Sequence, residues 1–267
     1  ASGSGGNGGG IYSQGTLTVE DATLTDNSAA NRGGGISGNG TFTNVTVENN
    51  SADSDGGGIY GDNSTFTNVT VKNNYAGGNG GGIRSFNSTF TNVTVENNSA
   101  TGISGSRGGG ICGSGTFTDV TVENNSANGD GGGINIRSAS TLTRVDIRGN
   151  ESGQFRDGGG LYSDGYDVDL TEVMFVDNTA NRSGASGGGA HIANAALRAV
   201  NVQFLGNDSG GRGGGLYLTS TGGSLTNTVF SGNRTSRSSS GGGLYLGSNS
   251  SPLIVNSVFS ANSASGE

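Results

Sequence analysis

Apolar and polar residues alternate along this chain at short intervals, and the pattern recurs about every 25 residues. A representative stretch, residues 41–47, reads Thr-Phe-Thr-Asn-Val-Thr-Val and is almost entirely β-branched or aromatic apart from its Asn. Such residues favour strands, and the spacing lacks the 3.6-residue period of a helix. Because Gly- or Asn-rich corners separate these stretches, the pattern predicts short β-strands joined by tight turns.

Two motifs alternate along the chain, and each occurs ten times. A Gly triplet precedes Ile11, Ile36, Ile59, Ile83, Ile111, Ile134, Leu161, Ala190, Leu216 and Leu244, with 23 to 29 residues between successive members. An apolar-x-x-Asn motif ends at Asn27, Asn50, Asn74, Asn98, Asn125, Asn150, Asn178, Asn207, Asn233 and Asn262. Strict alternation of this kind is typical of solenoids.

The repeats predict an all-β fold, a right-handed parallel β-helix of ten coils with about 23–29 residues and three short strands in each coil. One β-helix domain is expected over residues 1–267, with no obvious caps. Its coils are predicted to start near residues 8, 33, 56, 80, 108, 131, 158, 187, 213 and 241.

Aligned on the Asn motif, like residues stack from coil to coil. One predicted inward column is Leu17, Phe42, Phe66, Phe90, Phe117, Leu142, Leu170, Ala199, Leu225 and Ile254. A second is Leu24, Val47, Val71, Val95, Val122, Ile147, Phe175, Phe204, Phe230 and Phe259. The ten motif-ending Asn residues are predicted to form a structural ladder, because stacked amides can bond to one another and to the backbone at a corner.

Composition narrows the classes of function. The 267 residues include 56 Gly, and only 30% are hydrophobic, so order depends on the repeats rather than on an ordinary globular core. A net charge of −8 argues against nucleic acid and anionic membranes as partners. The single Cys excludes an internal disulfide, and the apolar runs are too short for membrane insertion. No metal or cofactor is expected.

Four segments, Phe175–Asn178, Phe204–Asn207, Phe230–Asn233 and Phe259–Asn262, read Phe-x-x-Asn, and Gly188-Gly189-Ala190 reads Gly-Gly-Ala. This pairing resembles the repeats of chlamydial polymorphic outer membrane proteins and related bacterial surface β-helix proteins. The resemblance covers the whole chain. It implies an extracellular, cell-surface and adhesive protein, with no catalytic residues to transfer.

The second residue after each Gly triplet belongs to a predicted outward column. Its members are Tyr12, Ser37, Tyr60, Arg84, Cys112, Asn135, Tyr162, His191, Tyr217 and Tyr245. Its five Tyr residues are candidates for a surface that stacks on sugars or on a host or cell surface, although ordinary strand propensity also explains them. Cys112 and His191 lie three coils apart, roughly 14 Å, too far for a catalytic pair.

A Thr-x-Thr pattern recurs in consecutive coils and points outward. It includes Thr16/Thr18, Thr41/Thr43, Thr65/Thr67, Thr89/Thr91, Thr116/Thr118 and Thr141/Thr143. The array resembles the ice-binding face of β-helical antifreeze proteins, so an ice-binding protein is one alternative function; exposed Thr is also ordinary in strands.

Two further alternatives concern glycans. Sequons make Asn44, Asn68, Asn92, Asn63 and Asn87 candidates for N-glycosylation. A polysaccharide lyase or hydrolase would need clustered carboxylates with a basic group, and the best cluster is Asp164, Asp167 and Asp169 with Arg144 one coil below. Three Asp residues in one region are more often a solvated corner, so the chain is not expected to be an enzyme.

Neither end carries an evident cap, and joining Glu267 to Ala1 of another copy leaves 12 residues between Asn262 and Gly8, so the repeat phase continues across the junction. The sequence therefore predicts a non-catalytic structural or adhesive solenoid that forms a head-to-tail homopolymer. A piece cut from a longer surface protein is the other interpretation.

Overall fold

The computed structural model describes residues 5–102, 105–153, 156–181, 184–236 and 240–265. All regular elements in these ranges are β-strands. Coils 1 to 5 contain β1 (Ile11–Tyr12), β2 (Leu17–Glu20), β3 (Thr23–Thr25), β4 (Ser28–Ala29), β5 (Ile36–Ser37), β6 (Gly40–Thr43), β7 (Thr46–Glu48), β8 (Ser51–Ala52), β9 (Ile59–Tyr60), β10 (Thr65–Lys72), β11 (Tyr75–Ala76), β12 (Ile83–Glu96), β13 (Ser99–Ala100), β14 (Ile111–Glu123) and β15 (Ser126–Ala127).

Coils 6 to 10 continue the same order. They contain β16 (Ile134–Ile136), β17 (Ser140–Arg148), β18 (Glu151–Ser152), β19 (Leu161–Asp164), β20 (Val168–Thr171), β21 (Met174–Val176), β22 (Thr179–Ala180), β23 (Ala190–Ala193), β24 (Ala196–Val200), β25 (Gln203–Leu205), β26 (Asp208–Ser209), β27 (Leu216–Thr219), β28 (Gly222–Thr226), β29 (Val229–Ser231), β30 (Arg234–Thr235), β31 (Leu244–Leu246), β32 (Leu253–Val255), β33 (Val258–Ser260) and β34 (Ser263–Ala264).

Every coil pairs in parallel with the next, which confirms the predicted β-helix. For example, Phe66 lies opposite both Phe42 and Phe90. One sheet contains ten strands, one from each coil, and the other contains 24. The ten-stranded sheet consists of two-residue strands such as Ser99–Ala100, so most coils have a fourth short strand that the prediction of three missed.

The core is a stack of like side chains whose bulk moves between columns. Rings of Phe42, Phe66, Phe90 and Phe117 stack with centroids 4.5–5.1 Å apart in the first inward column. From coil 7 onward the aromatic rings are in the second column: Phe175, Phe204, Phe230 and Phe259, spaced by 4.7–4.8 Å. Burial of these rings, apart from the half-exposed Phe259, adds to that of the Ile, Val and Leu columns in stabilising a chain with few apolar residues.

The register of coil 1 differs from the sequence alignment. Val19, not Leu17, lies opposite Phe42, and Leu17 lies opposite Gly40. Thr18 consequently pairs with Thr41, and Glu20 with Thr43, so Thr16/Thr18 was two residues out of alignment. The reason is that the members of the two inward columns within one coil are five residues apart in sequence, as Phe42 and Val47 are. Val19 lies five residues before Leu24, so it occupies the first inward column of coil 1.

Each coil turns at a Gly and at an Asn. The first Gly of every triplet has positive φ, as Gly80 does at 70°, and an added Cβ there would clash with the backbone of Ile83. The third Gly lies against the Asn ladder: a Cβ on Gly82 would lie 3.0 Å from Cγ of Asn98. Gly at both positions lets the coils approach closely.

The motif-ending Asn residues form a buried ladder in the structure. Backbone N and Nδ2 of Asn74 both donate to Oδ1 of Asn98, at 2.9 and 3.0 Å. The same Nδ2 also donates to the backbone oxygen of Val47 in the preceding coil, at 3.0 Å. This pattern repeats from coil to coil, so each side chain satisfies backbone groups that would otherwise be unpaired at the edge of the core.

Candidate functional site

The Tyr-containing column has the predicted register, but much of it is covered. Tyr12 is 52% exposed, whereas Ser37, Cys112, Asn135 and His191 are buried. The covering residues immediately precede the Gly triplets: Nδ1 of His191 lies 3.5 Å from Asp157, and Nδ2 of Asn135 lies 3.5 Å from the oxygen of Asp130. The column is therefore one wall of a groove rather than an open strand.

The opposite wall is a column that sequence analysis missed, here called the pre-triplet column. Its members share a polar side chain just before the Gly triplet: Asn7, Arg32, Asp55, Asn79, Arg107, Asp130, Asp157, Ser186, Arg212 and Ser240. Side-chain oxygens in this column accept backbone N–H groups one coil later, as Asp55 does from Asn79 at 2.7 Å and Asp157 from Ser186 at 2.7 Å. The recurrent polar residue before each triplet was the available signal.

Four rings stack in the C-terminal half of the groove. Centroids of Tyr162 and His191 lie 5.1 Å apart, those of His191 and Tyr217 4.6 Å, and those of Tyr217 and Tyr245 5.2 Å. Tyr12 and Tyr60 lie far along the axis from this stack. The five Tyr residues therefore do not form one continuous stacking surface, because Ser37, Arg84, Cys112 and Asn135 interrupt them.

Burial controls the titration of this stack. It lowers the pKa of His191 to about 4 and raises the pKa of Asp157 to about 6, where the nearby charge of Asp130 also raises the pKa. Burial also raises the pKa of Tyr162 to about 12. At neutral pH the ring of His191 is uncharged beside a carboxylate, an arrangement that packs the groove but supplies no activated nucleophile.

Cys112 lies at the base of the groove in its N-terminal half. Burial raises the pKa of its thiol to about 12, although Arg137, Arg84 and Arg107 act in the opposite direction. The thiolate is therefore unpopulated near neutral pH, and the thiol is a poor nucleophile.

Arginine and aromatic side chains alternate in the N-terminal half of the groove. The guanidinium of Arg84 lies between two rings, 4.6 Å from the centroid of Tyr60 and 4.1 Å from that of Phe86, and donates to both oxygens of Asp62 at 2.6 and 2.7 Å. Arg32 donates to the hydroxyl of Tyr60 at 3.0 Å. These contacts fix planar cationic and aromatic groups along the groove.

Three cavities lie along the groove. A cavity of about 300 Å³ lies between Tyr12 and Tyr60. A second, of about 250 Å³, is lined by Asp55, Asn79, Arg84, Phe86, Arg107, Cys112 and Arg137. A third, of about 170 Å³, is lined by Arg107, Ile136, Arg137, Tyr162, Asp164 and Tyr166. The second and third share Arg107 and Arg137, so they are adjoining parts of one depression.

The Thr residues form ordered columns on another face. Thr41, Thr65, Thr89 and Thr116 lie in register and are exposed, and Thr43, Thr67, Thr91 and Thr118 form a half-buried column beside them. A further outward column, Thr23, Thr46, Thr70, Thr94 and Thr121, was not recognised in the sequence.

The candidate glycosylation sites are at exposed corners. Asn44, Asn68 and Asn92 have φ of 52–55° and form an exposed ladder, in which Nδ2 of Asn68 donates to Oδ1 of Asn44 at 2.9 Å. Asn63 and Asn87 are also exposed, with φ of 50° and 52°.

The carboxylate cluster does not assemble as an enzyme site would require. Arg144 forms a two-point ion pair with Asp119, at 2.6 and 2.9 Å, rather than approaching the Asp cluster. Asp164 accepts from Asn194 and Asp167 from the backbone of Ala196, each at 2.7 Å. The carboxylate oxygens of both Asp residues accept hydrogen bonds from the next coil, because the stacked coils place an N–H donor beside each of them.

Within the described ranges, no group of three or more His, Cys, Asp or Glu side chains is arranged to hold a metal ion. The same residues contain no helix of the length and hydropathy needed to cross a membrane.

Comparison with known proteins finds two families. The family described as right handed beta helix region matches residues 2–127, and the Chlamydia polymorphic membrane protein repeat matches residues 119–137, a stretch with one Asn motif and one Gly triplet. No curated protein and no solved structure gives a significant match. With the parallel coils described above, the two matches identify the chain as a right-handed β-helix protein that is similar, over residues 119–137, to the repeat of the polymorphic membrane proteins.

Proposed function

We propose that the chain is a non-catalytic extracellular β-solenoid that serves as a structural or adhesive rod at the cell surface. The main supporting observation is the buried Asn ladder, which links all ten coils without a break, from Asn27 to Asn262. A continuous ladder stiffens a solenoid along its axis, because every coil is bonded to the next. The match to a repeat of surface proteins supports the location.

The location is tested on intact cells that produce the native protein. Antibodies against the exposed Thr face should label unpermeabilised cells, and external protease should remove that label. A signal that appears only after permeabilisation would contradict the proposal.

The proposal also includes a specific mode of assembly, in which copies of the chain associate head to tail. Phe259 in coil 10 stacks on Phe230 but is 47% exposed on its other side, and coil 1 carries the corresponding apolar column members Val19 and Leu24. Provided that no further coil follows residue 265 in the native chain, stacking coil 1 of a second copy on coil 10 would cover the exposed side of Phe259, whereas Val19 and Leu24 are already buried within coil 1.

Electron microscopy and mass photometry of the native protein test this association. Filaments or short chains of subunits are expected, and Phe259→Asp should reduce them to single subunits. Met174→Asp is the matched control, because Met174 is an exposed apolar residue on the side of the rod. Single subunits at every concentration of the unmodified protein would contradict it.

Glycosylation of Asn44, Asn68 and Asn92 is a second finer proposal. Their ladder spacing of about 4.8 Å leaves little room for bulky glycans on adjacent coils, so occupancy should alternate, with Asn68 or its two neighbours modified. Mass spectrometry of native glycopeptides tests this. Asn150 and Asn207, which are buried although each begins a sequon, should stay unmodified, and glycans on all three exposed sites of one molecule would contradict the alternation.

Ice binding is a second candidate function, favoured by the two in-register Thr columns over coils 2 to 5. A flat, repeating array of hydroxyl and methyl groups is the feature that supports it. Thermal hysteresis measured with purified protein should be present and should be lost in Thr65→Tyr/Thr89→Tyr. Its absence from the unmodified protein would rule this candidate out.

A further inference from the structure

The two adjoining cavities of the groove are lined by both arginine and aromatic side chains. They are continuous through Arg107 and Arg137, and they extend from Asp55 in coil 3 to Tyr166 in coil 7. They enclose about 250 and 170 Å³. Because successive coils lie about 4.8 Å apart, the depression is long enough to hold several units of a linear ligand that runs parallel to the axis.

The larger cavity gathers three of the 13 basic residues of a protein whose net charge is −8. Arg84, Arg107 and Arg137 line it, and Asp55 is its one carboxylate. One oxygen of Asp55 already accepts from both the backbone N and Nδ2 of Asn79, at 2.7 and 3.1 Å. Asp62 and Asp130 lie against Arg84 and Arg107, so Arg137 is the guanidinium whose donors are left to favour an anionic ligand.

The three arginines have different roles. Asp62 holds Arg84, and Asp130 lies 3.3 Å from Arg107, so these two are positioned by carboxylates. Arg137 is exposed and, among the described residues, its guanidinium has no ion pair or side-chain hydrogen bond. It stands where the two cavities meet, with its donors available for a carboxylate or sulfate.

Aromatic surfaces adjoin this cation. Phe86 borders the larger cavity, and Tyr162 and Tyr166 border the smaller one. Aromatic faces beside a few fixed polar groups suit a pyranose ring, which has an apolar face and polar edges. A polynucleotide would need a larger excess of positive charge than this groove provides.

We propose that the groove binds an acidic oligosaccharide, with an anionic group paired to Arg137 and Arg107 and sugar rings against Tyr162 and Tyr166. This inference rests on the proposed adhesive function and names its ligand class. Carboxylated (uronate) and sulfated sugars share the chemistry that the arginines recognise.

Isothermal titration of the full chain with defined probes tests the proposal. The probes are an oligogalacturonate, a sulfated oligosaccharide, a neutral oligogalactose and a poly-glutamate peptide. Binding of one or both acidic sugars, but not of the neutral sugar or the peptide, is expected. The two acidic probes show which anion is preferred.

Two arginine variants provide the decisive comparison. Arg137→Gln should weaken binding of the acidic sugar roughly tenfold to a hundredfold, because it removes a charged hydrogen bond. Arg198→Gln, on an exposed strand outside the groove, should bind like the unmodified chain. Circular dichroism should show the same β-structure in both variants, since both side chains are exposed.

Four results would overturn the inference: no binding of either acidic sugar, equal binding of the neutral sugar, equal or tighter binding of poly-glutamate, and equal affinity of the Arg137→Gln variant. Surface labelling of the same variant on cells separates this failure from failure of the proposed function. If Arg137→Gln reaches the surface while the unmodified protein binds no acidic sugar, the rod role stands and the ligand assignment does not.

Discussion

Two columns of Asn residues run along the same coils, and they differ in what surrounds them. In coil 3, Asn74 is buried: its Nδ2 bonds to the backbone oxygens of Val47 and Lys72, and its Oδ1 accepts from both nitrogens of Asn50. Asn68, in the same coil, is exposed and bonds only to the side chains above and below it, at 2.8 and 2.9 Å. The buried ladder satisfies backbone hydrogen-bonding groups, whereas the side-chain hydrogen bonds of the exposed ladder compete with hydrogen bonds to water.

This difference explains why only one column is uniform. The buried column is Asn in all ten coils, whereas the exposed column changes to Asp119, Arg144 and Glu172 in coils 5 to 7. A buried unpaired backbone group is costly, so only a side chain with both donor and acceptor fits the inner corner. At the outer corner water can replace any lost partner, and the remaining requirement is a tolerated positive φ.

The largest expected effect is that of Asn74→Ala. It leaves the backbone N of Asn50 buried without its partner and removes a donor from the backbone oxygen of Val47, at about 1–3 kcal/mol each, so the free energy of unfolding should fall by roughly 2–6 kcal/mol. Urea unfolding measures this loss, and hydrogen exchange should localise it to coils 2 to 4. A loss below about 1 kcal/mol would remove the energetic distinction between the ladders.

The next effect comes from displacing the buried ladder without deleting it. In Gly82→Ala, the added Cβ would lie 2.9 Å from the oxygen of Gly110 and 3.0 Å from Cγ of Asn98, and relief of this crowding should lower the free energy of unfolding by about 1–3 kcal/mol. Gly15→Ala is the matched control, since its Cβ meets no atom within 4 Å. Equal losses in the two variants would show that ladder geometry is unimportant.

A smaller effect is expected at the outer corner. Asn68→Ala loses exposed hydrogen bonds and forces Ala into a φ of 55°, which together should lower the free energy of unfolding by about 1 kcal/mol. Asn68→Gly removes the backbone strain and should lower it by less than about 0.5 kcal/mol. If the Gly variant is as unstable as Asn74→Ala, burial does not explain the difference between the columns.

The smallest effect concerns the charged part of the exposed column. The hydrogen bond from Arg144 lowers the pKa of Asp119, so this pair stabilises the fold above the carboxyl's ordinary pKa and loses that contribution as pH falls through the lowered value. Both side chains are about half exposed, so salt should weaken the effect. NMR titration of Asp119 should show its pKa move toward the ordinary value in Arg144→Gln, while amides beside Asn125 keep their exchange protection.

The sequence was sufficient to predict most of the fold. The alternating motifs specify the coil stack and the second inward column correctly, because each motif supplies a corner that recurs at a nearly constant distance. Coil 1 was misaligned because Leu17 and Val19 are both apolar, and only the pairing of backbones distinguishes them. The two-residue strands were missed because Ser-Ala has no strand propensity of its own and depends on stacking.

The candidate groove was harder to predict. Its Tyr-containing wall was recognised from the spacing, but the contact of buried His191 with Asp157 depends on the pre-triplet column, whose residues come from loops of variable length. The meeting of Arg107 and Arg137 in one depression depends on how those loops lie across neighbouring coils, which residue spacing does not specify.

The buried Asn ladder also gives the rod a direction. Each of its residues, such as Asn27, offers two nitrogens toward the following coil, where one Oδ1 accepts both. If the chain folds from its amino end, the last folded coil therefore exposes two N–H donors of its ladder Asn. The next coil binds there when its Asn Oδ1 accepts both hydrogen bonds. The opposite face presents one Oδ1 acceptor together with the Nδ2 donor that bonds to a backbone oxygen of the preceding coil, so the two ends of a growing rod are chemically distinct.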